Sequence, residues 1–80
     1  MINSIKIIED NKINSSFVKA NAFLYNKYKE EFTKSTDQNQ LLCSLWDLNF
    51  NAKLIEENNL FKEAIFRTES DLTLFVFKFN

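Results

Sequence analysis

The 80-residue chain contains no glycine, no proline and no histidine, and it has a single cysteine. Each absence removes a class of chemistry. Without histidine, neither a Ser-His-Asp nor a Cys-His arrangement can be assembled, and the side chain most often recruited for general acid–base work is missing. One cysteine cannot supply a zinc site built from Cys and His. A glycine-rich phosphate loop has no glycine to build it. Cys43 has no second cysteine to bridge, so a secreted disulfide scaffold does not apply. We therefore expect a protein that is not an enzyme, with no catalytic residues, no metal ligands and no cofactor.

Long apolar runs are also lacking. The longest, residues 74–77, is four residues, against about 20 for a membrane-spanning helix. The first six residues show no basic region followed by an apolar stretch of signal-peptide length. The expected setting is a reducing cytoplasm, away from any membrane.

Missing glycine has a structural consequence as well. Left-handed backbone positions in turns must fall to Asn, Asp or Ser, of which Asn tolerates that region best. Asp10-Asn11 and Asn58-Asn59 are the candidates.

What is present argues for a folded domain. Nine Phe, two Tyr and Trp46 make the chain 15% aromatic, and its net charge is −1; disordered segments show the reverse, few aromatics and high net charge. A chain this short buries little of its surface and needs large side chains in its core. One domain over 1–80 is expected. Asn occurs eleven times and lysine nine, beside a lone arginine, Arg67. Codon bias of an AT-rich genome explains that choice without a chemical reason.

Residues 4–9 are short and β-branched and read as a strand, and Asp10-Asn11 as the turn after it. Ser15 or Ser16 would cap a helix reaching about Lys34. Phe17, Asn21, Leu24, Tyr25, Tyr28 and Phe32 fall on one face of it. Ser35 and Gln38 offer a capping box for a second helix, whose Leu41, Leu42, Leu45, Trp46 and Leu48 share a face. So short a link predicts an antiparallel pair with Leu24, Tyr28, Phe32, Leu45 and Trp46 buried between. The apolar stretch 72–79 reads as a strand, pairing Leu74 with Ile65 and Phe75 with Ala64 in a C-terminal hairpin. The expected fold is thus α+β: an N-terminal strand, two antiparallel helices and a C-terminal β-hairpin. The alternative is mainly α, with a third helix over 51–66.

Function follows largely by subtraction. The carboxylate pairs Glu9-Asp10, Glu30-Glu31 and Glu56-Glu57 are adjacent residues, which diverge on a helix. Cys43 lies off the apolar stripe near Asp47, whose charge would raise its pKa. Residues 1–34 carry six lysines against four acids, too weak a basic surface to favour nucleic acid, although a regulator using the first helix is the runner-up. The leading expectation is a small protein-binding module that inhibits or modulates a larger protein, of the kind phages and mobile elements encode as anti-defence or immunity factors. A third reading is an accessory subunit that forms a homo-oligomer through the C-terminal strand. Phe23 lies on the lysine-rich side of the first helix, and with Lys19 and Lys27 it is the candidate partner-binding face.

Overall fold

The first amphipathic stripe does form a helix, but not an unbroken one. The computed structural model describes residues 3–80; of the domain expected over 1–80, Met1 and Ile2 lie outside the described residues. Helix α1 (Ser15–Lys27) is capped by Asn14, not by either serine, its Oδ1 accepting from the Phe17 backbone N–H at 3.0 Å. It stops at Tyr28, where φ and ψ open to −119° and 40°, and α2 (Lys29–Lys34) continues beyond the bend. Tyr28 donates its hydroxyl to Asn49 Oδ1 at 3.2 Å, and Lys27 Nζ reaches the same oxygen at 3.3 Å.

Helix α3 (Gln38–Phe50) starts at Asp37, whose Oδ1 accepts from the Gln40 N–H at 3.0 Å. The expected Ser35–Gln38 box is not made. Ser35 Oγ bonds the backbone of Asp37, and the Gln38 amide donates to the Phe32 carbonyl at 3.3 Å. Asn49 lies near the end of α3, so its bonds with Tyr28 and Lys27 tie the last turn of α1 to the last turn of α3.

Two tight hairpins rest on the asparagines. Asp10 and Asn11 (φ 52° and 63°) join β2 (Ile8–Glu9) to β3 (Lys12–Ile13), and Asn58 and Asn59 (φ 54° and 65°) join β4 (Ala52–Glu57) to β5 (Leu60–Phe66). Positive φ at both central residues is the signature of the type I′ turn, whose twist matches its strands. A further left-handed residue, Asn51 at φ 52°, ends α3, the position glycine takes most often. Strand β1 (Ser4–Lys6) completes an antiparallel sheet in the order β1-β5-β4.

The stretch 72–79 is not a strand. It belongs to α4 (Glu69–Lys78), capped by Thr68, whose Oγ1 accepts from the Asp71 N–H at 3.0 Å while donating to Asp71 Oδ2 at 2.9 Å. Phe75 and Phe79 are buried and Leu72 half-buried, spacings of three and four that only a helix puts on one face. The pairing expected for β5 goes elsewhere: Ala64 faces Leu54 and Ile5, and Ile65 faces Lys53 and Ser4. The hairpin therefore lies one element earlier than expected, no third helix covers 51–66, and a homo-oligomer through a C-terminal strand is ruled out by the absence of that strand. The α+β class stands.

Trp46 sits at the centre of the core, with the rings of Phe50, Phe75 and Phe17 at 4.9, 5.1 and 5.5 Å. Leu24, Phe32 and Leu45 are buried with it as expected, and Tyr28 is half-buried. Leu48 is 74% exposed, because at ~100° per residue it lies about 200° around α3 from Trp46.

Candidate functional site

Phe23, Lys19 and Lys27 follow one another at intervals of four along α1, so the helix places them on one stripe. Phe23 is half-buried and both lysines are exposed. The far end of the chain reaches the same place. The ring of Phe79 meets that of Phe23 edge to face at 5.7 Å, and Lys78 Nζ stands 4.3 Å from the Phe23 centroid. Lys27 Nζ lies 5.6 Å from that centroid on top of its bond to Asn49. Phe23 is thus held between two ammonium groups and an aromatic edge, an arrangement its negative ring faces favour. The structure brings Lys27 and Phe23 together and adds Lys78; Lys19 stands apart in solvent.

Two surfaces escaped the sequence reading. On α4, Leu74 and Phe77 point outward, at 68% and 86% exposure. The signal that could have found them is the Thr68–Asp71 cap, which sets a helical phase for everything after it. The second is an open groove of about 640 Å³ between α3 and the β4–β5 hairpin, lined by Cys43, Asp47, Lys53, Leu54, Ile65 and Arg67 among others. Arg67 binds Asp47 across its mouth at 2.8 Å, with both side chains largely in water, where such pairs contribute little to stability.

Cys43 is half-buried at this groove. Burial pushes its thiol pKa up, helped by the negative charges of Glu56 and Asp37. The expected upward push is present, but its electrostatic part comes from Glu56 and Asp37; Asp47 is turned toward Arg67 instead. The group is a thiol, not a thiolate, near neutral pH, and only the thiolate attacks or ligates.

Among the described residues, no three His, Cys, Asp or Glu side chains gather where they could hold a metal ion, and no helix is long and apolar enough to cross a membrane. No protein-family model, curated protein or solved structure matches this chain.

Proposed function

We propose that this chain is a protein-binding module that inhibits or modulates a larger protein by covering part of its surface. The observation that supports it is the outward side of α4. Leu74 and Phe77, three residues apart, share that side with Ser70 and Thr73, all exposed and without a charge among them. A phenylalanine gains nothing from facing water, whereas burial of its ring contributes about 1.5–3 kcal/mol. Anchors one turn apart on a helix are what a hydrophobic groove in a partner reads.

The face around Phe23 has a different part in this reading. Phe79 already takes up one side of the Phe23 ring, so Lys19, Lys27 and Lys78 supply mainly charge, which governs orientation and association rate more than affinity. A reducing cytoplasm suits a chain with one cysteine. Its AT-biased composition suits a phage or mobile-element factor, an anti-defence inhibitor or an immunity protein.

The test is capture of a partner from the native host by tagged wild-type, Leu74→Ala and Phe77→Asp proteins, with thermal stability measured in parallel. Both positions are so exposed that stability should move by less than about 0.5 kcal/mol. Capture lost at unchanged stability supports the reading. Undiminished capture by Phe77→Asp overturns α4 as the binding face.

A further inference from the structure

Strand β4 is an edge, and its backbone phase is fixed by its neighbours. Arg67 N donates to Asn51 O at 2.9 Å, so 51 and 67 face each other as a hydrogen-bonded pair. Alternation along an antiparallel ladder then turns residues 53 and 55 toward β5. The other side of β5 agrees: Phe66 N donates to Asn3 O and Ile7 N to Lys62 O, so the even residues of β5 face β1. The β-bulge lies in β5, where Lys62 is the extra residue, since Ile55 faces Glu63 and Glu56 faces Phe61. The alternation of β4 is therefore unbroken. Ala52, Leu54 and Glu56 aim their N–H and C=O groups at the free edge. The Ala52 and Leu54 side chains are both buried and both line the groove between β4 and α3, while Glu56 is exposed, its carboxylate accepting from Asn39 Nδ2 at 2.7 Å.

The charges along this edge are arranged in a polar order. Lys53 stands at one end and Glu57 at the other, with Ile55 midway, all three on the face of the sheet away from the core. An antiparallel second copy with its dyad at Ile55 would set Lys53 opposite Glu57 twice and Ile55 opposite Ile55. That register also joins Leu54 to Glu56 of the partner through main-chain hydrogen bonds. Opposite charges directly across a ladder are stabilising and like charges destabilising. A parallel pairing would stack Lys53 on Lys53 and Glu57 on Glu57. The charges that protect an edge from indiscriminate pairing thus leave one arrangement favourable.

We propose that β4 is a self-association edge: two copies of this chain join β4 to β4 antiparallel about Ile55, making one six-stranded sheet held in register by reciprocal Lys53–Glu57 pairs. The occupant is a second copy because the edge is complementary in charge to itself.

The experiment is sedimentation of the pure protein over a wide concentration range, for wild type, Lys53→Glu, Glu57→Lys and the double charge swap. Both side chains are exposed, and thermal unfolding confirms that each variant is folded. The wild type is expected to pass from monomer to dimer with rising concentration. Each single swap places like charges across the dyad and should weaken the dimer by about tenfold or more, while the double swap restores it. A wild type that stays monomeric throughout, or a double swap that fails to restore association, overturns the proposal. Sedimentation needs no other partner, so its outcome is independent of the capture experiment on α4.

Discussion

The indole N–H of Trp46 donates to Asn21 Oδ1 at 2.9 Å, an amide on α1 holding the one polar atom of a fully buried side chain on α3. Asn21 occupies an apolar stripe because Trp46 brings a donor there that must be matched. Asn21→Leu should therefore destabilise the protein by about 1–3 kcal/mol, the cost of stranding a buried donor, although it adds apolar surface. Chemical denaturation followed by Trp46 fluorescence measures it. A neutral or stabilising result would show that water takes the amide's place.

The contact between Phe23 and Phe79 joins α1 to the last turn of the chain. A double-mutant cycle on Phe23→Ala and Phe79→Ala should give a coupling of about 0.5–1.5 kcal/mol, the usual range for edge-to-face pairs. Phe79→Ala alone should cost more than Phe23→Ala, because Phe79 is buried and also packs on Phe50 and Phe75. Additive single-mutant losses would mean that the two rings act independently.

Asn59 carries a φ of 65° in the β4–β5 turn. Asn59→Gly removes the Cβ from a left-handed position and creates the Asn-Gly sequence that two-residue hairpins favour. Stability should hold or rise by up to about 1 kcal/mol, whereas Asn59→Val should lose about 1–2 kcal/mol. Thermal unfolding of the two variants side by side decides it, and equal melting temperatures would contradict the turn assignment.

Cys43 should react slowly with alkylating reagents. Its raised pKa means that the thiolate appears only above the pH at which an ordinary cysteine ionises, so the midpoint of the rate against pH shifts upward. Folding favours the neutral thiol. Cys43 thus contributes stability that is fully present below the unfolded-state pKa and is lost as pH rises through the folded one. Glu56→Gln should move the midpoint part of the way back, leaving the larger effect of burial in place. A midpoint at or below that of free cysteine would show that the thiol is solvated.

Much of this was legible in the chain itself. The Asp10-Asn11 and Asn58-Asn59 turns follow from the lack of glycine, because few other residues accept a left-handed backbone. The stripe through Phe17, Leu24 and Phe32 survives even the bend at Tyr28. The stretch 72–79 misled for a definite reason: with apolar residues at nearly every position, it satisfies a period of 2 as easily as one of 3.6, and β-branched and aromatic content then tips the balance toward strand. Thr68 and Asp71 held the deciding information, in a cap just outside the stretch. Of the candidate face, the stripe of Lys19, Phe23 and Lys27 was readable from α1 alone. The Phe79 and Lys78 side chains that close over Phe23 depend on where the other end of the chain comes to rest, which no local pattern encodes.

The position of β5 at the middle of its sheet also sets an order of events during synthesis. Its partner on one side, β4, lies just ahead of it across a two-residue turn, so that hairpin can close within microseconds once both arms exist. Its partner on the other side is β1, and Ser4 must find Ile65 across 61 intervening steps of chain. At a translation rate of about 5–20 residues per second, β1 waits roughly 3–12 s after its own appearance before β5 is made. Throughout that interval Ile5 and Ile7, which the finished protein covers, have no sheet to enter. Of the two neighbours of β5, β1 is made long before it and waits, while β4 is made just before it and pairs at once.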